Sequence, residues 1–117
     1  MCGICGFTGE VVNRDEVLRG MAQRITHRGP DAEGFFMDDT VSMAFRRLSI
    51  IDLEAGHQPL YNEDKTLVLT FNGEIYNYRE LRNELLEAGH VFSTQSDSEV
   101  LLHGFEQWKE ELLPRLR

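Results

Sequence analysis

No apolar run in the sequence approaches the roughly 20 residues that a membrane-spanning helix needs. The N-terminus also lacks the basic stretch and the long apolar stretch of a signal peptide. No membrane partner is expected, and the chain reads as cytoplasmic. Basic charge is scarce: 12 Lys and Arg stand against 20 Asp and Glu, for a formal net charge of −8. That field repels phosphate backbones, so nucleic acid is not an expected partner either. Internal repeats and low-complexity linkers are missing, and no domain boundary is visible. What remains is a chain of 117 residues, 41% hydrophobic, enough for one folded domain with a core.

Cysteine is also scarce, yet both copies fall in the opening stretch MCGIC, as Cys2 and Cys5. In a reducing compartment such thiols are more often metal-bound, catalytic or simply buried than bridged. A redox pair needs its first thiol at a helix N-terminus, and Gly6-Phe7-Thr8-Gly9 is poor helix material. Zinc needs four ligands, while His27, His57, His90 and His103 each stand alone in the sequence and no third cysteine exists. Two buried thiols at a strand end form a plainer alternative. A further alternative starts from removal of Met1, which would leave Cys2 with a free α-amine. An α-amino group titrates near ~7.7–8.0 and a thiol near ~8.5, so one residue could supply both nucleophile and base.

Hydrophobic periodicity places the elements around this terminus. CGICGFTGEVV reads as strand. NRDEVLRGMAQRI puts Val17, Leu18, Met21, Ala22 and Ile25 on one helical face, with Asn13 and Glu16 spaced as a capping box. HRGPD, residues 27–31, is a loop by composition. GFFMDDTVSMAFRRLSII reads as two strands joined at Asp38-Asp39-Thr40, with Val41, Met43 and Phe45 alternating against Ser42, Ala44 and Arg46. TLVLTFNG is a further strand ending at Asn72-Gly73. NYRELRNELLEAG is a second helix, with Asn77 and Glu80 as its cap pair, Leu81 and Leu85 on its apolar face and Gly89 as its stop. SDSEVLLHGFEQW is a third, with Ser96 and Glu99 as its cap pair and Val100, Leu101, Phe105 and Trp108 as apolar positions. The order and the short links favour an α+β fold over a doubly wound one.

Several residues do not fit a purely structural account. The strand period sends Arg47 to the apolar face, where a guanidinium needs an internal acid or a substrate carboxylate to grip. Asn72-Gly73 is a common hairpin signal, but Glu74-Ile75-Tyr76 is too short for a return strand before the Asn77 cap. An alternative use is as an oxyanion hole, with the Asn side chain and the Gly backbone N–H as donors. Asp97 suits the first turn of a helix and could equally hold a cation. An anion grip, a cation grip, an amide-polarising pair and a thiol together describe a pocket for an amino acid with a side-chain amide, and glutamine fits.

MCGI at the terminus, THRGPD at 26–31, RLSIID at 47–52, QPLYN at 58–62, NGEIYN at 72–77 and SDSEV at 96–100 carry a resemblance. In order and spacing, the sequence resembles class II glutamine amidotransferases. Among these it is most similar to the glutaminase domain of glutamine-hydrolysing asparagine synthetases. The resemblance implies an N-terminal-nucleophile hydrolase with a four-layer αββα sandwich. It implies Cys2 as nucleophile with its α-amine as base, and Asn72 and Gly73 as the oxyanion hole. Arg47 would bind the glutamine α-carboxylate and Asp97 the α-ammonium, with Leu48, Ile50 and Glu74 lining the pocket. Cys5 matches no catalytic position and reads as core. The family's domain continues past LLPRLR, so the expectation is a sandwich incomplete at the C-terminus. The synthetase domain that uses ATP and magnesium would then be absent, and no cofactor is expected in this part. Implied partners are glutamine and a synthetase domain or chain that receives ammonia, and a homo-oligomer is compatible. The alternative is a silent module that completes another chain's fold.

Overall fold

Alternation in three segments and a helical period in a fourth build the first of two units seen in a computed structural model, which describes residues 2–49 and 57–117. This unit takes Met1–Pro59 and Thr70–Asn72, and the second takes Leu60–Leu69 and Gly73–Arg117. Together they are α+β, as the order of elements predicts. No helix among the described residues is long and apolar enough to cross a membrane.

In the first unit, β1 (Gly3–Thr8), β2 (Ala32–Met37) and β3 (Val41–Arg47) form an antiparallel sheet in the order β1-β3-β2. The register sets Cys5 and Phe35 on either side of Ala44, and Phe7 and Met37 on either side of Ser42. With a side-chain period of two, these residues share one face. Helix α1 (Arg14–Arg24) covers that face, burying Leu18 and Ala22 against Ala44 with Cys5, Phe7, Phe35 and Met37 around them. Cys5 therefore packs against the core, and burial pushes its thiol pKa up.

Strand β3 departs from the expectation that Val41, Met43 and Phe45 make its one buried face. Ser42 and Ala44 are fully buried beneath α1, and Phe45 is buried as well. The central strand carries small residues on the helix side, leaving room for Leu18 and Ala22. Arg46, assigned to the polar side, is 8% exposed: its Nε donates to Gly29 O at 2.9 Å and its Nη1 pairs with Glu33. Val17, grouped with the apolar face of α1, is exposed.

The β2–β3 turn matches the sequence reading. Asp38 Oδ1 accepts from the backbone N–H of Thr40 at 2.8 Å and of Val41 at 2.7 Å, tying the turn with its own side chain.

In the second unit, β4 (Leu60–Tyr61) pairs antiparallel with β5 (Val68–Leu69). The long strand expected over TLVLTFNG is thus laddered at two positions, because β4 offers two residues in register. Helix α2 (Tyr78–Glu87) buries Leu81 and Leu85. Helix α3 (Ser98–Trp108) buries Val100, Leu102 and His103, and a 3-10 segment, Lys109–Arg115, follows it and buries Leu112. Leu101 is half-buried and Phe105 is exposed, so the buried stripe of α3 is rotated from the expected one. Gly89, at φ +97°, ends α2 as expected, a left-handed position that glycine adopts without steric cost.

None of the three capping boxes forms in full, although Ser96 Oγ accepts from Ser98 N at 3.1 Å as a cap does. Asn13 takes a left-handed φ of 58° with no side-chain cap bond. Asn77 instead uses its side chain to donate to Arg115 O at 2.7 Å and to accept from Arg117 N at 2.9 Å. Glu99 turns away from Ser96 to accept from the backbone N–H of Ser93 at 2.8 Å and of Thr94 at 2.7 Å. In each case a tertiary partner or a backbone turn competes with the local cap.

Candidate active site

Three segments distant in sequence meet at Cys2. The first precedes β1, which carries the residue into the sheet. The second follows β3, where Leu48 N donates to Cys2 Sγ at 3.4 Å while Leu48 O lies 3.9 Å from the same sulfur. The third is the end of the 70–72 segment, where Asn72 Nδ2 donates to the Cys2 carbonyl at 3.0 Å. Arg28 Nε donates to that carbonyl as well, at 3.2 Å. Cys2 is half-buried and its thiol is free. Cys2 thus has its main chain clamped by two side-chain donors and its sulfur beside a backbone peptide.

The HRGPD loop builds the wall behind it. A Cβ on Gly29 would lie 2.4 Å from the Arg46 carbonyl carbon and 2.6 Å from Arg47 N, so only glycine lets the loop lie this close to β3. Asp31 N then donates to Arg47 O at 3.0 Å, and Asp31 Oδ2 accepts from Ser49 N at 2.7 Å. Residues 47–49, including Leu48, are thereby held from one side. Gln58 performs the same task for the third segment: its Nε2 donates to Phe71 O at 3.0 Å and its Oε1 accepts from Phe71 N at 2.6 Å. A side-chain amide used as a backbone surrogate fixes the residue just before Asn72.

The sequence-derived site residues therefore divide. Cys2, Leu48 and Asn72 are brought together in the first unit. Arg47 sits half-buried at the end of β3 beside Leu48, paired in register with Ala32. Gly73, Glu74 and Asp97 belong to the second unit. There Gly73 and Glu74 are exposed, and Asp97 Oδ2 accepts from Ile75 N at 2.9 Å, which anchors the chain just after Glu74. Asp97 precedes α3 rather than lying inside its first turn, and Ser96 Oγ takes the Ser98 N–H at 3.1 Å. Ile50 lies outside the described residues. Arg28, Asp31 and Gln58 were given no role from sequence. The signal available was their place in the compact strings HRGPD and QPLYN, polar residues next to proline or glycine in loops.

A second constellation brings together two histidines that stand apart in the sequence. His90, His103 and Glu106 place one ligand atom each within 4.8 Å of one another. Glu99 stands behind His103. Burial raises its carboxyl pKa, but the Thr94 hydroxyl, the Ser93 and Thr94 backbone N–H groups and His103 outweigh this and bring it below the ordinary range.

The family model of the glutamine amidotransferase domain matches residues 1–117. The chain is 49% identical over 122 residues to asparagine synthetase (glutamine-hydrolyzing) 1 of Bacillus subtilis, covering 97% of this chain and 19% of that protein. It is 44% identical over 120 residues to the asparagine synthetase (glutamine-hydrolyzing) of Zea mays, covering 99% of this chain and 20% of that protein. The chain thus spans about a fifth of the length of these curated relatives. A match that runs from one end of the sequence to the other assigns the family: the chain belongs to the glutamine amidotransferase domain family.

Proposed function

We propose that this chain is the glutaminase part of an asparagine synthetase-like enzyme, hydrolysing the side-chain amide of glutamine to glutamate and ammonia. The observation that carries the reading is the convergence of Leu48 and Asn72 on Cys2. In this mechanism Met1 is removed and the Cys2 α-amine, acting through a water, takes the thiol proton. The sulfur attacks the glutamine Cδ, and the carbonyl π electrons move to oxygen. Asn72 Nδ2 and the Gly73 N–H donate to that oxyanion. Collapse of the tetrahedral adduct breaks the C–N bond, and the protonated amine gives its proton to the departing ammonia. The resulting γ-glutamyl thioester is cleaved by water, which regenerates the thiol.

Arg47 takes the α-carboxylate of glutamine in a bidentate grip, Asp97 takes the α-ammonium, and Leu48, Ile50 and Glu74 line the pocket. The ammonia passes to an aspartyl-type acceptor on a synthetase domain. ATP and magnesium belong to that domain in this reading, and the compartment is the cytoplasm. The sheet with α1 on one face supplies one αβ layer pair of the four-layer αββα sandwich that the reading includes. The test is direct: protein with Met1 removed releases ammonia and glutamate from glutamine, and Cys2→Ala abolishes the release with the circular dichroism spectrum unchanged. Turnover that survives in Cys2→Ala sinks the mechanism.

A second reading, that the chain completes another polypeptide's fold, draws on an apolar groove in the second unit. Leu67, Leu69, Leu101, Phe105 and Leu113 line it. It is checked by size-exclusion with light scattering, where a monomer that turns glutamine over by itself excludes it.

A further inference from the structure

The histidine and glutamate side chains of the second unit are arranged as metal ligands. His103 is 2% exposed. Its Nε2 lies 3.2 Å from Glu99 Oε1, and Glu99 accepts from Ser93 and Thr94, so the ring nitrogen is the donor in that pair. His90 Nε2 lies 2.9 Å from Gln107 Oε1, which accepts. Both rings thus spend their Nε2–H on an oxygen behind them, which leaves the Nδ1 lone pairs facing forward.

Those lone pairs meet carboxylates. His103 Nδ1 is 3.1 Å from Glu106 Oε1 and 3.6 Å from Glu63 Oε1, and His90 Nδ1 is 3.7 Å from Glu106 Oε2. Acceptors facing acceptors repel unless a proton or a metal ion lies between them, and a bound metal ion takes the place of the proton. A tetrahedral zinc site with ~2.0–2.1 Å bonds has ligand atoms about 3.3 Å apart, which these separations bracket. Charge leads to the same conclusion. Glu63, Glu99 and Glu106 surround one buried imidazole, and a divalent ion neutralises the excess. Hard ions such as magnesium and calcium take all-oxygen shells, whereas two imidazoles with a carboxylate suit zinc.

We propose that His90, His103 and Glu106 form a three-ligand site for zinc, with Glu99 and Gln107 orienting the two imidazoles from behind. Three protein ligands leave the fourth tetrahedral position to water. The ion would tie the segment after α2 to α3 within the second unit.

The experiment is calorimetric titration of the full chain with zinc chloride, followed by cobalt(II) absorption spectroscopy. One zinc per chain is expected, with magnesium failing to compete. His90→Ala and Glu106→Gln, neither of them deep in the core, are each expected to weaken binding by at least about tenfold while the far-ultraviolet circular dichroism spectrum is kept. The cobalt spectrum should be that of tetrahedral nitrogen and oxygen ligation without a thiolate band. Absence of stoichiometric binding overturns the proposal, as does unchanged affinity in both variants. A thiolate band does so too, since it moves the metal to Cys2 or Cys5. Glutamine turnover enters none of these readouts, so the outcome is independent of the glutaminase reading.

Discussion

Asn72 reaches across 70 positions of sequence to donate its side-chain N–H to the carbonyl of Cys2 at 3.0 Å. In the proposed mechanism the same amide group also donates to the oxyanion formed when Cys2 attacks. Asn72→Ala is expected to lower kcat by about 10²–10³ with KM little changed, the usual cost of one lost oxyanion donor. The residue is exposed, so folding should be retained. A rise in KM with kcat intact, in steady-state ammonia release, would reduce Asn72 to a tether.

Gln58 acts one residue earlier. Its amide makes two hydrogen bonds to the Phe71 main chain, and both are lost in Gln58→Ala. Urea unfolding should show a loss of about 1–3 kcal/mol, and kcat should fall with it. Gln58→Glu keeps the acceptor for Phe71 N and should recover part of both effects. Equal damage from the two substitutions would show that the pairing is not what matters.

Gly29 has no room for a side chain. The Cβ of Gly29→Ala would sit 2.4 Å from backbone atoms of Arg46, and backbone cannot swing aside as a flexible side chain can. A destabilisation of about 1–3 kcal/mol is expected in thermal or urea unfolding. The damage should extend to Cys2 reactivity toward an alkylating glutamine analogue, because the loop supports residues 47–49. Parent-like stability would contradict the packing described.

Asp38 provides a pH dependence with a definite sign. The Thr40 and Val41 backbone N–H groups, Thr40 first, hold its carboxyl below the ordinary aspartate value of about 3.9. The folded state therefore favours the carboxylate. Its contribution to stability is complete above the unfolded value and is lost as the pH falls through the lower folded value. A carboxyl-carbon NMR titration should give a midpoint below about 3.9. A midpoint at or above that figure would show that the turn does not hold the charge.

The elements were legible wherever a short-range period carried them. The strands β1, β2 and β3, the joint at Asp38-Asp39-Thr40, and Leu81, Leu85 and Gly89 in and after α2 stand where the pattern puts them. Hydrophobic period and turn chemistry act over a few residues, so a sequence displays them directly. The string of motifs also named the family without any geometry.

Partner choice was decided only in three dimensions. Asn13, Asn77 and Glu99 have cap-forming spacing, yet Asn77 holds the chain end at Arg115 and Arg117, and Glu99 holds residues 93–94. Arg46 pairs with Glu33 because the register of β2 against β3 sets the two opposite each other. His90 and His103 stand apart in the chain and meet because the chain leaves α2 and returns through α3. A polar side chain bonds to whatever donor or acceptor the packed backbone places within about 3 Å. The amino-acid order sets the periods and the chemical inventory, and packing alone determines which groups in that inventory meet.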